Sequence, residues 1–283
     1  MLMTKILLTR KPYLVCIILF SLLTEFSCAT QIFRSEDAQG RVIYSDTPND
    51  GAKPVDIPLQ PNRFLQQIAK VYDGDTVVLK NGQRVRLLGI NAPEIESRYR
   101  TSEPGGIQAK LWLQEKLQNK SVHLQYDQEK YDRYKRQLAH LFLPDGKHVN
   151  AALLENGLAV LNIMPPNLRY SDKLINAQQR AEKHKLGIWS MPKYQPLPIS
   201  KITNKSRGWH RYIGIPQAIK KSRKYHRLLF NKHTNIRIAK ENLELFPPLD
   251  SYLNRSIEIR GWVSRNGENY SMLIHHPSAI ILN

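Results

Sequence analysis

Residues 71–94 read VYDGDTVVLKNGQRVRLLGINAPE and carry a carboxylate (Asp75), a guanidinium (Arg86), a carboxamide (Asn91) and a second carboxylate (Glu94) in close succession. These are the groups that a divalent cation and a phosphate need: hard oxygen donors for the first, a planar fork of N–H donors for the second. Asn81-Gly82, between two alternating runs, reads as a β-hairpin turn. A two-residue turn there sets Val77 opposite Arg86 and Asp75 opposite Leu88, so Asp75 and Arg86 lie diagonally adjacent on one face. The chain leaves the second strand beside Asp75, and Pro93 excludes an ordinary central strand. Asn91, Ala92 and Glu94 therefore arrive at the same sheet edge. The alternative is a hairpin whose charged face is merely solvated, the usual fate of surface charge.

The elements that must position this edge follow in order. A loop over 95–105 leads to a helix from about Ile107, with Ala109, Trp112, Leu113 and Leu117 on one apolar face. Residues 121–126 and 137–143 alternate as strands, and Asp145-Gly146 marks the next turn. A short helix over Ala151–Glu155 stops at Gly157, a residue suited to the left-handed position after a helix. A third helix runs from Ser171, read as its N-cap, to Lys185, with Gly187 beyond. Strands, helix, strands, helix, helix make an α+β fold: a small antiparallel barrel with helices packed to one side.

Of the 283 residues, 42 are Lys or Arg and 24 Asp or Glu, a net charge of +18, so a polyanion is the expected partner. Residues 1–29 read as an export signal: Lys5, Arg10 and Lys11, the apolar run 13–23, then Ser27-Cys28-Ala29 before a cut. The run is too short for a membrane span, which needs about 20 apolar residues. Both cysteines, Cys16 and Cys28, lie in this leader, so cleavage after Ala29 would leave a mature chain with no disulfide and no thiolate metal site; an uncleaved anchor and a lipoprotein at Cys28 are the weaker alternatives. Only three of the cations fall there. Basicity belongs to the working protein.

Residues 32–48 read as two short strands around Gln39-Gly40, with Ile32 and Tyr44 as buried side chains, and resemble a small module found on exported bacterial proteins. Pro-rich residues 49–61 read as a linker, and Pro196 and Pro198 mark a second one. Residues 205–240 then hold eleven Lys and Arg and no acid, interleaved with Trp209, Tyr212, Tyr225 and Phe230. Cations among aromatics suit a nucleic-acid groove; a solvated basic surface is the other reading. Residues 256–263 and 270–282 read as strands around Asn266-Gly267, while the adjacent His275 and His276 point to opposite faces and suit packing or a turn better than a metal.

Residues 64–190 resemble the staphylococcal nuclease family. The motifs that carry the resemblance are V-x-D-G-D-T at 71–76, R-L-L-G-I-N-A-P-E at 86–94, D-R-Y-x-R at 132–136, V-N-x-x-L-x-x-x-G-L-A at 149–159 and L-G-I-W-S at 186–190. The resemblance implies a five-stranded OB-type barrel with three helices and phosphodiester hydrolysis in DNA or RNA, with Ca²⁺ as cofactor. It implies Asp75, Asn91 and the Ala92 carbonyl as metal ligands, and Glu94 as the group that positions or deprotonates water. Arg86 and Arg136 would grip the scissile phosphate, and Arg133 and Tyr134 a neighbouring one. Asn91 stands where the family usually has Asp, which removes one negative charge and predicts weaker calcium binding. Lys135 replaces a family glycine, and Ile163 and Pro165 fall where some members place phosphate-binding tyrosines. Residues 205–283 resemble, on R-G-W-V at 260–263 and His276-Pro277, an OB-like tail of some exported members.

The organisation expected is a signal peptide (1–29), an N-terminal β module (30–58), a nuclease-like domain (62–194) and a basic C-terminal domain (205–283). The function expected is a periplasmic or secreted calcium-dependent endonuclease acting on nucleic acid, with no obligate protein partner. The alternative is a weakly active or non-catalytic nucleic-acid binder on a decayed nuclease barrel. Attachment to acidic envelope polymers is a third reading, resting on charge alone.

Overall fold

The structure, a computed structural model, describes residues 32–36, 42–45, 47–48, 51–55, 63–96, 102–206 and 208–283. The leader read at 1–29, the Gln39-Gly40 turn and the side chains of Ile32 and Tyr44 lie outside what is described. Near the N-terminus, β1 (Ile32–Glu36), β2 (Val42–Ser45) and β3 (Lys53–Val55) form an antiparallel sheet in the order β2-β1-β3. The third strand lies in the stretch read as a linker. Its Pro54, opposite Phe33, is tolerated because β3 is an edge strand whose outer side needs no N–H.

The second unit begins with β4 (Phe64–Val71), β5 (Thr76–Leu79), β6 (Arg84–Leu87) and a short β7 (Gly89–Asn91). Helix α1 (Gly106–Leu117) follows, then β8 (Ser121–Gln125), β9 (Gln137–Phe142), α2 (Val149–Glu155), β10 (Val160–Asn162) and α3 (Ser171–Lys183). Strands β4-β5-β6-β9-β8 close into the five-stranded barrel that the motifs implied, with the three helices around it. Val77, Val85, Leu87, Leu124 and Leu141 fill the barrel against Leu113 and Leu117 of α1 and Leu153 of α2. Each such side chain withdrawn from water contributes roughly 1.5–3 kcal/mol before entropy is counted.

Two expectations are corrected. The hairpin register is Thr76 opposite Arg86 and Val77 opposite Val85, one residue off the expected pairing. The Gly82 N–H donates to Leu79 O and the Leu79 N–H to Gln83 O, so three residues form the loop, with Gly82 at φ +82° as the left-handed closing residue. A type I turn closed by a bulge glycine absorbs the extra residue. Ser171 is not an N-cap; Tyr170 occupies that position, and the Ser171 hydroxyl donates to Leu168 O instead.

A polar cluster sits beside α2. His140 and His148 are buried, with 3.1 Å between Nδ1 and Nε2, and His148 stacks on Phe142. Burial lowers His140 to about 3 and His148 to about 2, the latter helped by its neighbour, so both are neutral imidazoles.

Beyond α3 a 3-10 turn (Gly187–Ser190) brings Trp189 into a small cluster with Tyr194 and Trp209. The expected second linker is ordered: β11 (Leu197–Pro198) pairs in parallel with β12 (Trp209–Gly214). Then come β13 (Ala218–Lys221), β14 (Tyr225–Leu229), β15 (Thr234–Ala239), β16 (Ile257–Asn266), β17 (Asn269–Ile274) and β18 (Ile280–Leu282). They form one eight-stranded sheet, β11-β12-β16-β17-β15-β14-β13, with β18 also on β16. The last expected strand is broken by a 3-10 turn at Pro277–Ala279, whose N-cap is His276. The β16–β17 turn centres on Gly267-Glu268, since Asn266 pairs with Asn269. Among the described residues no helix is long and apolar enough to cross a membrane.

Candidate active site

The site starts from a backbone packing requirement. A Cβ on Gly74 would lie 2.5 Å from the Ala92 Cβ and 2.8 Å from the Ala109 Cβ, so only glycine lets the 73–75 turn seat between the Ala92 loop and α1. That seating buries Asp75. Its Oδ2 accepts the Ala92 N–H at 2.8 Å and pairs with Arg86 Nη1 at 2.8 Å, while Oδ1 accepts from the Thr76 hydroxyl at 3.1 Å. Asp75 and Arg86 thus meet as expected, although the register that led to the expectation is off by one. The contact survives because Asp75 stands in the turn before β5, where strict alternation of sides does not apply.

Arg86 also donates from Nη2 to Asn91 Oδ1 at 2.8 Å and from Nη1 to Leu87 O. Asn91 Nδ2 donates to the Ala92 carbonyl at 3.0 Å. Asn150 of α2 fixes the chain between β6 and β7, giving Nδ2–H to Leu88 O and accepting the Leu141 N–H. The next turn, at Pro93-Glu94, rests on α1. A Cβ on Gly106 would lie 2.6 Å from Glu94 O, and the Glu94 N–H donates to Glu103. Arg136 approaches from β9's leading loop. Its Nε bonds Asp132 Oδ2 at 2.7 Å, and Asp132 Oδ1 accepts the backbone N–H of Arg136 and of Tyr134. Burial pushes the Asp132 carboxyl up, but these donors outweigh it and lower the group overall. Arg133 donates to the Tyr134 hydroxyl, and both are exposed.

One cavity of about 500 Å³ is lined by all eight residues singled out from the sequence: Asp75, Arg86, Asn91, Ala92, Glu94, Arg133, Tyr134 and Arg136. Asp73 and Arg84 line it too and were missed. Each had a signal: Asp73 stands inside the D-G-D-T motif, and Arg84 lies two residues from Arg86, hence on the same face of the strand. Asp132 was quoted in a motif but given no role; it is the residue that orients Arg136.

The electrostatics are uneven. Burial pushes Asp75 up to about 7; Arg86 and the Ala92 N–H pull it down, while the neighbouring Asp73 pushes it further up. A buried carboxyl with a second acidic side chain beside it makes a place where positive charge is welcome. Calcium's preferred donors, hard oxygens, are present in the Asp75 carboxylate, the Asn91 carboxamide and the Ala92 carbonyl. The charge is short: among the described residues no group of three or more His, Cys, Asp and Glu side chains is placed to hold a metal. Both amide ends of Asn91 are also engaged, one by Arg86 and one by Ala92. The set fits a hard cation in kind and falls below it in charge.

A family model described as staphylococcal nuclease homologue matches residues 84–191, and one described as a domain of unknown function (DUF4124) matches residues 19–63. A thermonuclease from Staphylococcus intermedius is 38% identical over 125 residues, covering 43% of this chain and 74% of the relative. The chain belongs to the staphylococcal nuclease family. A thermonuclease from Staphylococcus hyicus is 35% identical over 133 residues, covering 46% of this chain and 78% of the relative. Endonuclease YncB from Bacillus subtilis is 35% identical over 130 residues, covering 44% of this chain and 61% of the relative. The nuclease-type hydrolase fold is therefore common ground with proteins named for cutting nucleic acid.

Proposed function

We propose that this chain binds nucleic acid across the Asp75–Arg136 cavity and hydrolyses its phosphodiester bonds weakly, with a high demand for calcium. The observation that carries the reading is the convergence of Arg86, Arg136 and Glu94 on one cavity, with each arginine oriented by its own aspartate. Arg136 spends only Nε on Asp132 and lies over the Tyr134 ring, and its two terminal amino groups have no hydrogen-bond partner among the described residues, which leaves them for phosphate oxygens. Arg86 would stabilise charge that builds on those oxygens. Glu94 would orient or deprotonate water. Asp75, the Asn91 carbonyl and Ala92 O would hold calcium, whose positive charge polarises the phosphate when bound. Arg133 and Tyr134 would contact a neighbouring phosphate.

The engaged amide of Asn91 favours a second reading, a binder without hydrolysis. Plasmid and denatured DNA, mixed with the protein in calcium or in chelator, separate the two. Slow cutting that needs calcium supports the hydrolase, retarded but intact DNA supports the binder, and neither binding nor cutting removes both. In the hydrolase case, Asn91→Asp lowers the calcium concentration needed; an unchanged requirement would sink the charge argument.

The proposal includes work in the periplasm or outside the cell, on the strength of the leader-like residues 1–29. It also includes the division into an N-terminal module over 30–58, a nuclease domain over 62–194 and an OB-like C-terminal domain over 205–283, with no obligate protein partner.

A further inference from the structure

A second cavity, of about 420 Å³, lies between the nuclease barrel and the C-terminal sheet, a size that takes a nucleoside-sized ligand. It begins where the first ends, since Asn91 lines both. One wall is β10 and the residues after it, where Ile163 is buried and apolar. The opposite wall is the C-terminal sheet. Trp209 of β12 and Trp262 of β16 stand directly across from each other in register, so both project on the same face. Trp209 is buried against Trp189 and Tyr194, whereas Trp262 is 39% exposed. A large flat ring thus stands open beside a cavity, and its cross-strand neighbour is anchored in an aromatic cluster.

Arg237 of β15 lines the same cavity. It has no carboxylate partner among the described residues. Its Nη2 donates to the Ser264 hydroxyl at 3.3 Å, its Nε is buried without a hydrogen-bond partner, and its guanidinium lies over the Tyr225 ring, 5.4 Å from the centroid. A guanidinium with no anion beside it favours a phosphate that reaches its terminal amino groups. Gln178 of α3 spends its Oε1 on the Leu161 N–H and presents the rest of its carboxamide to the cavity.

We propose that this cleft is a nucleotide subsite supplied by the C-terminal domain: an unpaired base stacks on Trp262, the adjoining phosphate meets Arg237, and the next phosphate along lies in the Asp75–Arg136 cavity. The proposal rests on the nucleic-acid reading above and adds to it a preference for single strands, because a base held in a duplex has no free face to offer the indole.

The test uses the full chain in chelator, where nothing is cut, and reads fluorescence anisotropy of labelled dodecathymidylate and of a duplex of the same length. Trp262→Ala weakens single-strand binding roughly tenfold and duplex binding less than about twofold, and Trp262→Phe restores most of the loss. Arg237→Gln reduces the slope of log affinity against log salt by about 0.7. Circular dichroism of each variant checks the fold, and Arg237→Gln carries the test should Trp262→Ala misfold. Arg86→Lys serves as the reference for the first cavity. If it weakens binding while the Trp262 and Arg237 variants bind like wild type, the subsite is refuted and the nucleic-acid reading stands. If wild type binds neither probe, that reading fails and this inference with it.

Discussion

The molecule holds two clusters of arginine and carboxylate that differ in balance. Where α3 meets the C-terminal sheet, Arg211 pairs with Glu258 at 2.7 and 2.9 Å, and Arg260 bridges Glu258 at 2.6 Å and Glu182 at 2.7 Å. Two cations face two anions. Burial pushes Glu258 up, but its two arginines outweigh that and lower it; Arg260 is raised against its own burial. In the cavity near Asp75 the same residue types are mismatched, for Arg86 serves one buried carboxylate and one amide while Asp73 crowds Asp75. A satisfied network is a joint. An unsatisfied one is a place for a ligand.

The comparison breaks most visibly at Glu258. Replacing it with Gln leaves two buried guanidiniums short of charge, and chemical denaturation should report a loss of about 3–5 kcal/mol. Arg86→Lys should do the reverse. It should lower phosphodiester cleavage by roughly 10²–10³ fold, the cost of losing one oriented donor, while the denaturation midpoint moves little. Single-turnover cleavage and a urea titration of the same sample separate the effects.

The two clusters also have opposite pH signatures. Burial next to Asp73 raises the Asp75 carboxyl in the fold to about 7 from its ordinary 3.8, in spite of the Arg86 pair. Wild type therefore loses stability relative to Asp75→Asn as pH rises across that window, by at most about 1.4 kcal/mol per unit. Glu258, lowered in the fold, contributes stability that is present above its ordinary value of 4.5 and lost on acidification. Denaturation series on wild type and both variants should show wild type losing ground to Asp75→Asn as pH rises from 3.8 toward 7, and losing ground to Glu258→Gln as pH falls below 4.5; a shared direction would erase the distinction. The smallest effect lies at Lys135, held in the left-handed region at φ +62°. Lys135→Gly should raise stability by about 1 kcal/mol, read as a higher melting temperature.

The barrel was legible because its signals are local: alternating strands, the apolar face of α1, and Gly157 at φ +62° after α2. The residues that line the Asp75–Arg136 cavity were legible because the motifs come in order. The hairpin register was not, since Asn-Gly serves two- and three-residue loops alike and only the Gly82 geometry decides between them. The strand β3 hid behind prolines that an edge position tolerates. The cleft between barrel and C-terminal sheet was invisible for a different reason. Its walls come from β10, α3, β15 and β16, and no spacing rule links Asn91 to Trp262.

Gly157 and Gly187 touch backbone to backbone: a Cβ on Gly157 would lie 2.0 Å from Leu186 O, and the Ile188 N–H donates to Gly157 O at 2.8 Å. This crossing delivers Trp189 to the stack with Tyr194 and Trp209. The nuclease signature therefore does not end in solvent; its final tryptophan is already part of the C-terminal sheet's foundation. Anyone trimming the chain after Gln195 to obtain a minimal enzyme would strip the cover from that indole, and the excised barrel would need a polar residue at 189 to stay in solution alone.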